Sequence, residues 1–198
     1  MFTPKTFNIP DIAGISKKTI EEHLKLYQGY VKHANLILEK IPEYRGYEKE
    51  DAFAPYVVGE LYRRFAFEFD GMRNHEYYFE QLEGGHKEAM GSALNKQMEK
   101  DFGSVEKWFQ EFIFLAMTRG IGWAVLWYDP VSKKLINSWV DEQHLGQLNG
   151  LKWIYGIDMW EHSYLFDYTP GEKRKYIDAY TNATNQGVSA RRFEEAVK

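Results

Sequence analysis

Four residues have side chains that commonly bind metal ions, and they come from both halves of the chain. Asp158 and His162 stand four residues apart, directly after an apolar run at 153–157. His23 and His75 each lie in a strongly helical segment upstream. Three imidazoles and a carboxylate suit redox-active iron or manganese and leave room for a solvent ligand. Taken singly, His23 and His75 could be hydrogen-bonded core-edge residues, and Asp158 could cap a helix.

The composition limits the class of protein. The chain has 198 residues, 44% apolar and 17% aromatic, so we expect one domain or two small ones with many buried rings. The net charge of −4 argues against nucleic acid as a partner. The chain has no cysteine, so disulfides, thiolate metal sites and thiol nucleophiles are excluded. Without a signal-peptide pattern or a membrane-spanning stretch, we expect a soluble cytoplasmic protein that does not interact with membranes.

The first half of the chain predicts two long helices. Apolar residues recur at spacings of three and four over 20–38, Ser16 is a suitable N-cap, and Pro42 is expected to end this helix. A second helix is predicted over about 51–83, with a glycine pair at 84–85 after it. Because a short polar loop joins them, the two helices should pack antiparallel as a hairpin.

This hairpin would bring two candidate ligands together. His23 lies near the start of the first helix, and His75 lies near the end of the second. In an antiparallel pair, the start of one helix lies beside the end of the other. The predicted proximity favours a shared site over two unrelated core histidines.

The second half predicts shorter helices around a small sheet. Helical patterns cover about 86–101 and the segment after Ser104, and they return in the last ~40 residues. Three segments have the pattern of strands in an antiparallel sheet. They are residues 123–128, 134–140 and 152–157. We therefore predict an α+β fold, with a helical hairpin domain at 1–85 and a helical domain with a three-stranded sheet at 86–198.

Over nearly its whole length the chain resembles a known family, the iron/manganese superoxide dismutases. Residues 158–164 are similar to that family's D-x-W-E-H-A-Y signature, which is highly specific. Residues 74–79 resemble its N-H-x-x-F-W motif, and residues 19–23 resemble the start of its first ligand helix. Residues 120–124 resemble its G-S-G-W-x-W segment, although Val125 stands where a second tryptophan is usual.

The resemblance implies an antioxidant enzyme that disproportionates superoxide to dioxygen and hydrogen peroxide. It implies one manganese or iron ion per subunit, with a solvent molecule as fifth ligand. The four protein ligands would be His23, His75, Asp158 and His162. Family members are homodimers or tetramers, in which the glutamate before the last histidine reaches that ligand in the neighbouring subunit. This role falls to Glu161.

The resemblance also implies a glutamine that hydrogen-bonds the metal-bound solvent. In the family it comes either four residues before the second histidine, where this chain has Gly71, or from the hairpin region, where it has Gln143. This arrangement is similar to the manganese type and favours manganese. His144 is adjacent, and a slip of one residue would place histidine there, as in some iron and dual-metal relatives.

Three features depart from the family pattern at the substrate funnel. The family's first helix usually has a second histidine four residues after the ligand, where this chain has Tyr27. Tyr30 comes one residue early, as after a one-residue deletion that leaves a regular helix, and we expect it to be the gateway tyrosine. Leu165 replaces the tyrosine that pairs with the gateway histidine, so the funnel is altered.

Two other functions remain open. The altered funnel could belong to a superoxide dismutase-like metal-binding protein with little dismutase activity, which a superoxide-consumption assay would identify. The chain could instead be a helical oligomerisation module that uses its many aromatic residues as contacts. Such a module would contain no stoichiometric iron or manganese.

Overall fold

A computed structural model describes residues 1–198 as a long helical hairpin followed by a small sheet with shorter helices around it. The helices are α1 (Lys17–Gly46), α2 (Ala54–Glu80), α3 (Ala93–Phe102), α4 (Val105–Ala116), α5 (Lys173–Ala183) and α6 (Gln186–Ala196). The strands are β1 (Gly122–Asp129), β2 (Lys134–Asp141) and β3 (Lys152–Asp158). The predicted α+β fold is confirmed. No helix combines the length and the apolar character that crossing a membrane requires.

Helix α1 begins as predicted but ends later. Ser16 caps it, because its hydroxyl oxygen accepts a hydrogen bond from the Thr19 backbone N–H at 3.2 Å. The prediction that Pro42 ends the helix was wrong, since α1 continues through it to Gly46. A proline inside a helix removes one backbone hydrogen bond. The adjacent Ile41 is buried, and its burial offsets part of that loss.

The predicted boundaries of the next two helices were too wide. Helix α2 is shorter than the predicted 51–83 at both ends, and the glycine pair at 84–85 follows it with positive φ angles. The helix predicted over 86–101 begins only at α3, where Ser92 caps it. The preceding segment is irregular instead, with an isolated parallel bridge between Lys87 and Asn185 and a turn at 90–91.

The three strands form an antiparallel sheet in the order β2-β1-β3, as predicted. The central strand β1 is buried along almost its whole length. Its register places Trp123 opposite Val140 on one side and opposite Asp158 on the other. The sheet therefore brings a carboxylate at the end of β3 to the level of a buried indole.

One hydrophobic core joins the hairpin to the sheet. It contains side chains from α2, such as Tyr78 and Phe79, together with Trp123 of β1. The helical hairpin packs as predicted, with α1 against α2. The proposed division of the chain at 85/86 stays a prediction.

Candidate metal centre

Four elements of the fold supply the four predicted ligand residues, and the structure brings all four together. His23 lies in the second turn of α1, and His75 lies near the end of α2. Their ring centroids are 4.9 Å apart, as expected from the antiparallel hairpin. Asp158 ends β3, and His162 follows in a short 3-10 turn over Glu161–Ser163.

The ligand atoms of this group converge on one carboxylate oxygen. Asp158 Oδ2 lies 3.1 Å from His23 Nε2, 3.1 Å from His162 Nε2 and 3.6 Å from His75 Nε2. All four ligand atoms lie within 4.8 Å of one another. His23, His75 and Asp158 are fully buried, while the His162 side chain keeps 21% exposure. Three of the four side chains are thus inaccessible to solvent, and the group reaches the surface at His162.

Asp158 is held so that one oxygen faces the imidazoles. Its Oδ1 accepts a hydrogen bond from the Trp160 backbone N–H at 2.8 Å, which leaves Oδ2 for the three histidines. Burial alone would raise the pKa of this carboxyl, but the imidazoles of His162 and His23 outweigh it and lower the pKa well below its usual range. The group is therefore an anion in the folded protein.

The tautomer of His75 is fixed by the backbone. Its Nδ1 lies 2.6 Å from the carbonyl oxygen of Gly71, which can only accept, so Nδ1 carries the proton. Its Nε2 therefore presents a lone pair, and that atom is buried with no hydrogen-bond partner. Burial lowers the pKa of both His75 and His23, so both rings are neutral, the form that binds metal ions.

The distances from Asp158 Oδ2 to the three histidines fit a single metal ion. Two atoms bound to one ion at about 2.1 Å lie about 3.0 Å apart at a right angle and about 3.6 Å apart at 120°. The three distances to Asp158 Oδ2, 3.1, 3.1 and 3.6 Å, fall in this range. A buried imidazole nitrogen without a partner, here His75 Nε2, is also what an ion would satisfy.

Gln143 lies beside this group, in a network that the sequence predicted only in part. Its Oε1 accepts from Trp123 Nε1 at 2.9 Å, and its Nε2 donates to Tyr30 Oη at 3.0 Å. The rings of Trp123 and Tyr30 in turn contact the ring of His75, at 5.1 and 5.0 Å between centroids. The Gln143 side chain is completely buried, and its amide is fixed between two rings that both contact His75.

His144 points elsewhere. Its ring contacts Phe67 on α2, with 5.7 Å between centroids, and the residue is partly exposed. Of the two adjacent residues Gln143 and His144, it is therefore Gln143 that hydrogen-bonds Tyr30. The other histidines, His33 and His86, are exposed and lie outside this group.

Tyr27 and Leu165, which stand where the family has its gateway histidine and the tyrosine paired with it, lie in different surroundings. Tyr27 is buried and donates to Glu76 Oε1 at 3.2 Å, and it accepts from the Lys5 backbone N–H at 2.9 Å. Its hydroxyl therefore belongs to a charged network below the site. Leu165 lies at the surface with 46% exposure. Tyr27 and Leu165 therefore do not form a hydrogen bond that would replace the family's pairing of gateway histidine and tyrosine.

Helix α1 remains a regular α-helix between His23 and Tyr30, as the proposed one-residue deletion predicts. This spacing of seven residues places both side chains on the same face of the helix. Tyr30 consequently reaches Gln143, while His23 reaches Asp158.

Glu161 lies at the surface next to His162. The indole of Trp160 stacks on the His162 ring at 5.6 Å, and its Nε1 donates to the Glu142 carbonyl at 3.0 Å. The Glu161 carboxylate is therefore exposed beside the partly exposed side chain of His162.

The sequence did not predict two hydrogen bonds that support the residues around the four candidate ligands. Asn74 Nδ2 donates to the Gln143 backbone carbonyl at 2.9 Å, and Tyr176 Oη lies 3.1 Å from Tyr78 Oη. The position of Asn74 directly before a ligand was a usable signal. For Tyr176 the sequence offers none, since its contact joins residues nearly a hundred positions apart.

Comparison with known proteins gives a consistent picture. A family model described as iron/manganese superoxide dismutases, C-terminal domain, matches residues 90–192. The chain is 34% identical to a superoxide dismutase (Fe) of Cupriavidus metallidurans, over 94% of this chain and 92% of that protein. It is 34% identical to a superoxide dismutase (Fe) of Aquifex pyrophilus, over 95% and 88%. A superoxide dismutase (Mn) of Haloarcula marismortui is 40% identical over 62% of this chain and 60% of its own length.

Proposed function

The chain belongs to the iron/manganese superoxide dismutase family, and we propose that it disproportionates superoxide to dioxygen and hydrogen peroxide. The observation that carries this proposal is the convergence of His23, His75, Asp158 and His162, whose ligand atoms lie within 4.8 Å of one another. When bound there, an iron or manganese ion supplies the one-electron oxidation and reduction of superoxide.

The chain's own residues hold and orient this site. Asp158 contributes the one negative charge among the four ligands, and Gly71 fixes His75 through its carbonyl oxygen. Such hydrogen bonds to the far side of a ligand set its orientation and basicity. Trp123, Tyr78 and Trp160 surround the imidazoles with aromatic rings, which limit access of water.

Gln143 and Tyr30 are placed to handle protons. One N–H of the Gln143 amide donates to Tyr30, and its oxygen accepts from Trp123, so the other N–H is available to an oxygen atom at the centre. Since Tyr30 Oη accepts from Gln143, its own proton can be donated to an incoming anion. Burial, with the Asp158 charge nearby, raises the pKa of Tyr30 far above neutrality and keeps it protonated.

Manganese is the metal we favour. The relatives include both iron and manganese enzymes, so the family alone does not choose between the two metals. The combination of Gly71 on α2 and Gln143 after β2 resembles the manganese type and supports this choice. Reconstitution with each metal, followed by activity per bound ion, tests it.

We propose further that the protein acts as a homodimer, in which Glu161 of each subunit bonds His162 of the other. The exposure of Glu161 and the 21% exposure of the His162 side chain support this arrangement. Replacing Glu161 with alanine should then lower both the dimer fraction in analytical ultracentrifugation and metal retention.

The test of the activity is superoxide consumption by purified protein of known metal content. We expect stoichiometric iron or manganese and catalytic consumption, both lost in Asp158→Asn. Bound metal without consumption would contradict the proposal and favour a metal-binding protein with an altered funnel. A protein that takes up neither metal would fit an oligomerisation module instead.

A further inference from the structure

The loop that carries Gln143 has a backbone that its surroundings must hold in place. Asp141 and Leu145 exchange two backbone hydrogen bonds, of 2.8 and 3.1 Å, which close a tight turn after β2. Glu142, inside this turn, has a φ of 51°. A residue other than glycine at positive φ is strained and persists only where neighbouring contacts enforce it. The direction of Gln143 therefore depends on those contacts.

Gln147 makes two of these contacts. Its Nε2 lies 3.2 Å from the Gln143 carbonyl oxygen and 3.2 Å from Asn74 Oδ1. A glutamine amide has two N–H groups, so it can donate one to each acceptor. Asn74 Nδ2 donates to the same Gln143 carbonyl at 2.9 Å. The two amides and the carbonyl form a closed set of three hydrogen bonds.

The Gln143 carbonyl and Gln147 together determine which way the Asn74 amide points. Asn74 could in principle turn either its oxygen or its nitrogen toward Gln143, since the two orientations have the same shape. Only the nitrogen can donate to a carbonyl. A flipped Asn74 would place its NH₂ group against the donor of Gln147 and its oxygen against the Gln143 carbonyl. Gln147 thus adds a second contact that opposes the flipped orientation, beside that of the Gln143 carbonyl.

We propose that Gln147 is a positioning residue for the reaction. It fixes the Gln143 backbone, directly and through Asn74, and so holds the Gln143 amide between Trp123 and Tyr30. The inference rests on the proposed function. It also gives a reason why Gln143 rather than its neighbour His144 bonds Tyr30, because turning the loop by one residue would break all three amide hydrogen bonds.

The test compares Gln147→Leu with the unmodified protein, both loaded with metal. We expect faster backbone hydrogen exchange over 141–147 and a several-fold lower kcat. The midpoint potential of the bound metal should shift in the same direction as in Gln143→Ala. Gln147→Glu, which keeps the size but presents only acceptors, should behave like Gln147→Leu. Gln110→Leu, a matched change at an exposed glutamine of α4, should alter none of these.

A double-variant cycle separates positioning from a general loss of structure. If Gln147 acts through Gln143, the double variant should have almost the same metal midpoint potential and kcat as Gln143→Ala alone. An equal shift in both backgrounds, or unchanged hydrogen exchange in Gln147→Leu, would overturn the inference. If unmodified protein consumes no superoxide, the proposed function fails. Backbone hydrogen exchange over 141–147 still tests whether the hydrogen bonds of Gln147 hold the Gln143 backbone.

Discussion

The ring of Tyr30 on α1 packs directly against the backbone of Gly71 on α2. A β-carbon added to Gly71 would lie 2.6 Å from Tyr30 Cδ1, closer than two carbon atoms can approach. The same Tyr30 accepts the hydrogen bond of Gln143, and the carbonyl of Gly71 fixes His75. The absence of a side chain at position 71 thus makes room for the tyrosine that the site uses.

Gly71→Ala should therefore reduce activity by displacing Tyr30. We expect loss of the 3.0 Å contact between Tyr30 and Gln143 in a crystal structure, and a net loss of stability. Overpacking of this kind costs about 1–3 kcal/mol, more than the roughly 1 kcal/mol that alanine gains over glycine in a helix.

Gly59→Ala on the same helix is the matched control, since nothing lies within 4 Å of a β-carbon there. It should raise the free energy of unfolding and leave activity unchanged. Equal effects of the two substitutions in urea unfolding would mean that the ring of Tyr30 simply moves aside.

Tyr30→Phe and Tyr27→Phe should separate catalysis from stability. Without its hydroxyl, residue 30 can neither accept from Gln143 nor donate a proton, so kcat should fall by roughly 10²-fold, the lower end for acid–base catalysis. Tyr27→Phe leaves the buried Glu76 without one donor, which should cost about 1–3 kcal/mol of stability with little change in kcat.

Stopped-flow superoxide decay and denaturant unfolding on both variants provide the comparison. A larger drop in kcat for Tyr27→Phe than for Tyr30→Phe would show that position 27 kept a gateway role despite its bonds to Lys5 and Glu76.

The convergence of the four candidate ligand residues could be predicted from the sequence because local patterns place them. Helical spacing and a short loop bring His23 and His75 together, and a strand end followed by a turn presents Asp158 and His162. The strands were also predictable, since β1 is a short run of buried residues beside turn residues.

The errors and omissions concern contacts between distant segments. Pro42 does not end α1, which continues to Gly46, and the burial of the adjacent Ile41 offsets part of the lost hydrogen bond. The segment before α3 is not helical, and Lys87 within it pairs with Asn185. The hydrogen bond from Gln147 to Asn74 depends on a side-chain orientation that no spacing rule encodes.

Asp70 should make the protein less stable at neutral than at mildly acid pH. Burial raises the pKa of this carboxyl to about 6, against about 3.9 in an unfolded chain. Between these values the folded state binds more protons than the unfolded state, so stability falls as the pH rises from about 4 to about 6. Above pH 6 the folded state carries the full cost of ionising the buried Asp70 carboxyl.

Asp70→Asn should therefore raise the unfolding midpoint at pH 8 and have little effect at pH 4. Asp11→Asn, a change at an exposed aspartate, serves as the control and should not show this difference between the two pH values. Thermal unfolding at both pH values gives the comparison, and an equal midpoint shift at pH 4 and pH 8 would contradict the assignment.

Removal of the metal should leave a protein whose stability falls steeply in mild acid. Burial lowers the pKa of His23 and His75 in the folded chain, whereas each titrates near 6.5 when unfolded. Below that pH the unfolded state binds more protons, so stability falls with decreasing pH, by up to about 1.4 kcal/mol per pH unit for each histidine. Asp158, whose pKa is lowered, adds to the fall only below about pH 4.

Urea unfolding of the metal-free protein between pH 8 and pH 5 measures this slope, and His75→Leu should reduce it by about half because one of the two buried imidazoles is gone. His86→Leu, at an exposed histidine, should leave the slope unchanged. Metal-loaded protein should be more stable at every pH, since an ion that binds only the folded state stabilises it by mass action. A metal-free slope that is the same with and without His75 would mean that groups outside the centre control the acid sensitivity.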